Sequence, residues 1–524
     1  MALPRSYRAL VGQGYLPKEL PPAFTSETMR RYIPSNPVTI GTKPLHLAKS
    51  EQAPYTFSIP AVQARRRLEI PSPAAFSRLA YLMAQNWREI GKLLDRSKIS
   101  LSRPVLNRNS SGRALVDRHD PTQQRIIRLR QSRRGTVTTH LDTSNFYGSI
   151  YTHAVDWAVR GKAAAKLNRV DNSLGRLLDF CLQQSRDGQT AGIAIGPETS
   201  RIISEIVMAA VDEELVASLP WVVKCSVRYI DDVTLYADGP LKSLEFVTAY
   251  LSHLSRYELT LNDHKTRELS HVEPPDPHWR AQTLRAIRDM AATRRPAGII
   301  SIISSVLDIA RVAGSPAPLR YFLSSTPKRA LTANNWLAFQ DFLTIAIRSD
   351  GITLAHAHQF LVRAKDQGFL GQFRDLETNL YQLIDHHISV GNEFEVAAAI
   401  NILTDIGTVV ETTLAERAGE LESDLVDLLL LEASAKAKRL KGVKNAVLDR
   451  GSDVGAFSAG HWMLAYEVQR AHPDRRTSEF KAGEWAALSN AEVSFIRDPS
   501  ESPMSRWYLT RLAARTHRTE YSHR

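Results

Sequence analysis

Hydrophobic positions along this chain change period from one stretch to the next, and the changes mark its parts. The first 55 residues mix proline with polar residues and keep no period, which predicts an irregular arm with short helices. From Phe57 the texture tightens. Ile70-Pro71-Ser72-Pro73 punctuates a helix start, and Phe76, Leu79, Leu82 and Trp87 continue it. Residues 104–120 are polar enough for a loop, whereas 136–142 alternate like a strand. Residues 142–270 pass between short strands and helices, until Glu273-Pro274-Pro275-Asp276-Pro277 interrupts them.

Beyond that interruption the pattern is helical. Ile299, Ile302, Ile303, Val306, Ile309 and Ala313 share one face at helical spacing. Stretches 336–348, 353–365, 373–388, 394–406 and 414–437 repeat it, with Asp350-Gly351, Gly368, Gly391 and Gly407 as stops. Helix pairs of about 40 residues predict a HEAT-like stack, with an irregular bundle as the equal alternative, since no strict sequence repeat is found. The expected divisions are 1–55 (arm), 56–277, 278–510 (helical) and 511–524 (basic tail).

Of the 524 residues, 43% are hydrophobic and 23% charged, a globular composition that excludes disorder throughout. No apolar run approaches the ~18–20 residues of a spanning helix, so no membrane is expected. The N-terminus shows no apolar signal region. Cys181 and Cys225 are the only cysteines, which excludes a disulfide framework or a cysteine-rich metal site and fits the cytoplasm. Lys and Arg number 67 against 55 Asp and Glu, a net charge of +12 that favours a polyanionic partner. Residues 101–135 hold nine Arg and two Asp, and Arg65, Arg66 and Arg67 form a separate triplet upstream. A charge run is most often a solvated face; two of them ahead of a carboxylate-bearing stretch point toward nucleic acid.

That stretch centres on Arg228-Tyr229-Ile230-Asp231-Asp232-Val233, between β-patterned runs at 222–227 and 233–236. It reads as a hairpin with two adjacent carboxylates at its tip. Like charges there cost free energy unless a cation is bound; a surface Asp-Asp turn is the plain alternative. Asp142, at the end of the alternating run 137–141, adds a third carboxylate from another strand, as two-metal phosphoryl transfer requires. Mg²⁺ suits such oxygen ligands, and Mn²⁺ is the alternative.

Four ordered motifs resemble those of the reverse transcriptases, and within them the bacterial defence-associated (abortive-infection) group. Asp142 and Thr143-Ser144-Asn145-Phe146-Tyr147 resemble motif A, and Gly192-Ile193-Ala194-Ile195-Gly196-Pro197-Glu198-Thr199-Ser200-Arg201 resembles motif B. Tyr229-Ile230-Asp231-Asp232 resembles motif C, and Leu261-Asn262-Asp263-His264-Lys265-Thr266 resembles motif D. Residues 65–73 with Phe76, Asn86 and Trp87 resemble the fingers block. The resemblance covers about 55–275. It implies an α+β fold: right-hand polymerase fingers and palm, followed by an all-α, helical-repeat-like C-terminal domain.

The resemblance also implies roles. Asp142, Asp231 and Asp232 would hold two metal ions, with the Thr143 carbonyl assisting. Tyr147 would pack under the nucleotide sugar and exclude a 2′-hydroxyl, with Phe146 the competing ring but better suited to the core. Lys265 would stand near the pyrophosphate as a cation or proton donor, a solvated lysine being its alternative. Arg66 and Arg67 would clamp the triphosphate, and Gly196-Pro197 would border the nucleotide. Many members carry Gln where Ile195 stands, which leaves RNA-templated and template-independent synthesis both open. The implied partners are dNTPs, a DNA product, an associated non-coding RNA and further copies of the chain. The implied role is defence against phage. A polymerase-fold module that senses phage nucleic acid or protein without synthesis is the alternative.

Other features carry less. Tyr7, Tyr15, Tyr32 and Tyr55 of the arm are candidates for a priming hydroxyl, with packing as the plain reading. Arg280, Arg285, Arg288, Arg294 and Arg295 are candidates for lining a product exit. His356-Ala357-His358, His386-His387 and 461–467 fit helix packing better than metal binding, and 518–523 has the spacing of an Arg-x4-His nuclease motif.

Overall fold

In the computed structural model, the described residues are 3–35, 37–38, 53–61, 64–109, 112–167, 172–274, 276–293, 295–327, 330–369 and 374–498. The tail at 511–524, the motif at 518–523 and Arg294 lie outside them.

Eight strands occur among these residues. They are β1 (Tyr55–Pro60), β2 (Arg65–Ile70), β3 (Pro104–Leu106), β4 (Leu115–Asp117), β5 (Val137–Leu141), β6 (Ser226–Tyr229), β7 (Asp232–Ala237) and β8 (Arg267–Leu269). The central sheet has order β6-β7-β5-β8, antiparallel throughout, and β1-β2 and β3-β4 are separate hairpins. The Pro240–Arg256 helix packs on β5 and β7, and the long Glu198–Ser218 helix packs against it. That long helix is buried over most of its length, which fits its nearly unbroken apolar run.

The expected strand at 222–227 is shorter than its pattern. Pro220–Lys224 is a 3₁₀ turn, and pairing starts only at Ser226, because Pro220 has no N–H for a ladder and fits a helical first turn. The arm is also better ordered than its composition predicts. It forms the Arg5–Gln13 helix and a 3₁₀ turn at Glu27–Arg31 and is packed into the core. Its tyrosines are interior groups: Tyr7 donates to the Tyr32 carbonyl at 2.8 Å, Tyr15 to the Pro71 carbonyl at 2.5 Å, and Tyr55 to Glu393 at 2.8 Å. Burial raises the pKa of each hydroxyl, so none is presented to the palm as a primer in this conformation.

From His278 onward every described helix or strand is helical. Each helix touches the one two places on. Ala317–Ser325 packs on Leu354–Asp366, which packs on Glu393–Ile406, which packs on Asp424–Lys436. Pro296–Ala313, Ala333–Ser349, Arg374–Ser389 and Thr412–Gly419 follow the same rule in a second layer. The single stretch expected at 414–437 is two helices, broken where Glu422 takes a φ of 49°. The Pro296–Ala313 helix is long and apolar enough, by length and composition only, to cross a membrane, which departs from the expectation of no such run. It buries Ile299, Ile302, Ile303 and Val306 and turns Ser301, Ser304, Asp308 and Arg311 outward. His358 is buried on Asp405 at 2.8 Å, as helix packing predicts, whereas His386 is exposed.

The helical half returns to the arm and to β1-β2. Arg65 makes a two-pronged ion pair with Glu395 at 2.7 and 2.8 Å. Trp462 donates its indole N–H to the Ile70 carbonyl at 3.4 Å. Thr25 and Arg497 bond the backbones of Phe495 and Ala23, so the arm pairs with the last described segment.

Candidate active site

The β6–β7 hairpin has a two-residue tip, Ile230-Asp231, because Tyr229 pairs with Asp232. β7 in turn pairs with β5 so that Leu141 faces Val233. One step further along, Asp142 and Asp232 become cross-strand neighbours, a spacing of about 5 Å between Cβ atoms. The Asp142 and Asp231 carboxylates both bear on Asp232. Burial, then Asp231 and Asp142, push the Asp232 carboxyl up to about 7. Burial and Asp142 also raise Asp231.

The hairpin tip is strained. Ile230 has a φ of 60°, a left-handed value that a β-branched side chain avoids, at a cost of about 1–3 kcal/mol. Two groups hold it there. The Ile230 N–H donates to the Ser102 hydroxyl, and the Arg228 guanidinium donates to the Ile230 carbonyl, each at 2.7 Å.

Behind Asp142 runs the segment 260–266. The Asn262 N–H donates to the Asp142 carbonyl at 2.8 Å, and its amide reaches the Asp142 carboxylate at 3.3 Å. Lys265 Nζ lies 2.9 Å from the same carboxylate, which raises the lysine pKa, while 61% of the side chain is exposed. Lys265 therefore stands on the Asp142 carboxylate, not clear of it.

Tyr147 lies on the short Phe146–Ser149 helix, its hydroxyl toward Ser204 and its ring within the field of Asp231. Phe146, 4% exposed, packs in the core and meets Tyr147 edge-on at 5.5 Å. Gly196 has a φ of 134°, and an added Cβ there would meet Pro17 of the arm at 2.5 Å, so the arm backs this loop directly. Pro197 caps the Glu198–Ser218 helix, and Arg113 donates to the Gly196 carbonyl at 3.3 Å.

The arginine triplet does not act together. Neighbours on a strand point to opposite faces. Arg66 bears on Asp231, whereas Arg67 lines a cleft on the other side, beside Glu69 at 4.0 Å. The joint clamp by Arg66 and Arg67 is thereby corrected: only Arg66 is placed near the carboxylates.

The donor set fits a hard divalent cation: carboxylate oxygens whose mutual repulsion Lys265 and Arg66 offset only in part. Among the described residues no group of three or more His, Cys, Asp or Glu forms a ready-made metal cage.

Sequence reasoning missed the group behind the tip. Arg228 has no exposed surface. It pairs with Glu205 at 2.9 Å and Asp212 at 2.7 Å, both on the Glu198–Ser218 helix. Glu198, Glu205 and Asp212 recur every seven residues, so three buried acids form one stripe along an apolar helix. Each meets an arginine: Glu198 meets Arg113 at 2.7 Å and Arg201 at 3.1 Å. The heptad spacing was the available signal.

The chain matches the family described as reverse transcriptase (RNA-dependent DNA polymerase) over residues 72–286. That span holds Asp142, Tyr147, Gly196, Asp231, Asp232 and Lys265 and leaves out Arg66 and Arg67. No curated protein matches the chain in sequence. Among solved structures, apo telomerase from Candida tropicalis is similar at 12% identity and a TM-score of 0.31, over 77% of this chain and 68% of that one. Telomerase from the same organism with a TWJ fragment of telomeric RNA is similar at 11% and 0.29, over 76% and 65%. Likeness at this level carries no argument about function.

Two outcomes follow from the geometry. Arg228→Ala leaves Glu205 and Asp212 buried without their cation and should cost about 3–5 kcal/mol, read by urea unfolding. Second, Asp232 holds its proton more tightly folded than unfolded, since 3.8 rises to about 7. With EDTA present, the fold binds more protons than the unfolded chain in that window. Stability should therefore fall as pH rises from about 4 to 7. Mg²⁺ at pH 7.5 should restore it in the wild type and much less in Asp232→Asn.

Proposed function

We propose that this chain, an RNA-directed DNA polymerase and so a nucleotidyltransferase, joins dNTPs to a 3′-hydroxyl or a protein hydroxyl at the Asp142–Asp231–Asp232 cluster. The observation that carries the reading is the cross-strand contact between Asp142 and Asp232 beside the strained hairpin tip. A fold accepts that much repulsion and strain where a site requires it. Bound divalent cations, Mg²⁺ or Mn²⁺, would supply activation of the attacking hydroxyl and neutralisation of the triphosphate. Asp142, Asp231 and Asp232 would hold them, with the Thr143 carbonyl alongside. Lys265, once Asp142 is engaged, is long and exposed enough to swing toward the leaving pyrophosphate. Arg66 contributes positive charge on the triphosphate side, and the ring of Tyr147 fills the volume a 2′-hydroxyl would need.

Templating from an associated RNA and synthesis without a template both fit this site, and Ile195 beside the Gly196 turn leaves the template side apolar. Cytoplasmic action in phage defence, assembly with copies of itself, and a helical-repeat design for the C-terminal half are parts of the same proposal. The defence role is supported by the resemblance of 192–201 to the abortive-infection group. The two-layer helix stack supports the repeat design.

Asp231→Asn with Asp232→Asn should abolish incorporation of labelled dNTPs while leaving the melting temperature equal to or above that of metal-free wild type. Incorporation at the wild-type rate would sink the assignment. Tyr147→Ala should raise rNTP use relative to dNTP by about ten-fold or more, ~1.4 kcal/mol, in single-turnover assays.

A further inference from the structure

A cleft of 310 Å³ opens on the face of β2 away from the catalytic carboxylates. Its walls come from three places: β1-β2, the turn at 186–189, and the turn at 459–461 of the helical half. Strand alternation decides which arginines face it. Arg65 and Arg67 share a side of β2, and Arg65 is spent on Glu395. Arg67 is not spent: 68% of its side chain is exposed, and Glu69 is 4.0 Å away, beyond hydrogen-bonding distance. Arg186 is spent, on Glu69 at 2.8 Å and on the Ala191 carbonyl, so that pair is a neutral wall.

Facing Arg67 across the cleft is His461. Its Nδ1 lies 2.9 Å from Asp424, a carboxylate with no exposed surface that also accepts the N–H groups of Met463 and Leu464. Asp424 orients the ring through Nδ1 and raises its pKa. His461 is 46% exposed. Gln189 and Thr56 add neutral hydrogen-bonding groups, and Asp187 is the one further carboxylate in the lining.

The Arg67 guanidinium and the His461 imidazole, on separate elements beside neutral polar groups and Asp187, suit a single phosphate. The volume is at the low end for ligand sites, about 300–1,000 Å³, which admits one nucleotide unit and excludes a duplex. The cleft is also continuous with the active site through the backbone. Glu69, in its wall, donates its N–H to the Ile195 carbonyl of the loop that ends in Gly196.

We infer that this cleft grips single-stranded nucleic acid, seating one phosphodiester between Arg67 and His461. The inference rests on the polymerase reading, yet its test needs no catalysis. The full chain, in EDTA, is titrated into a fluorescent single-stranded oligonucleotide across a series of salt concentrations. The Arg67→Gln/His461→Gln double variant should bind at least about ten-fold more weakly. Its log–log salt slope should be shallower by about 0.7, the contribution of one neutralised phosphate on a single strand. Arg67→Lys keeps the charge and should keep the slope, which separates charge from folding. An unchanged affinity and slope in the double variant would overturn the inference. So would competition by dTMP as strong as that by unlabelled oligonucleotide, which would make the cleft a free-nucleotide site. Loss of incorporation in the aspartate variants tests the polymerase reading separately.

Discussion

A guanidinium with no contact with solvent holds the Asp231-Asp232 corner of this protein in shape. Arg228 is taken out of water at a cost that only its two buried partners and one carbonyl offset. Glu205 and Asp212 sit on the helix that starts at the Gly196-Pro197 turn, and the carbonyl belongs to the strained residue before Asp231. One side chain thus ties the helix that starts at Gly196-Pro197 to the turn carrying Asp231 and Asp232. Neither moves without disturbing a buried charge.

Strain and repulsion are concentrated in the same few residues. Ile230 in a left-handed conformation, Asp142 against Asp232, and Lys265 drawn onto Asp142 are each unfavourable or provisional by themselves. The surroundings over-determine them: the Ser102 hydroxyl, the Arg228 network and the Asn262 bonds all act on this one corner. The arm contributes from behind, with Pro17 filling the space a side chain at residue 196 would need.

The local chemistry was legible because it is written in adjacent letters. The Asp231-Asp232 tip, the strand ending at Asp142 and the helical texture past Pro277 all follow from period and punctuation. What period does not encode was lost. The 3₁₀ turn at Pro220–Lys224 looked like strand, since an apolar run of five or six residues does not distinguish them. Arg67 was grouped with Arg66 by adjacency, whereas the pleat separates neighbours. Arg228 was passed over because its partners are 16 and 23 residues away and only the fold brings them together. The arm looked irregular because its tyrosines pack against residues as distant as Glu393, a distance no local pattern reports.

The pairing of the arm and β1-β2 with the end of the helical half bears on how the protein is made. Residues 23–25 bond to 495–497, and Arg65 and Ile70 find partners at Glu395 and Trp462. A ribosome adding roughly 5–20 residues each second takes about 20 to 85 seconds to travel from β2 to that last segment. Once residue 269 has been added the central sheet has all its strands, while the arginine-bearing strand beside it still lacks the surface it rests on. The corner with the aspartates has its residues midway through synthesis, and the part that frames it closes last.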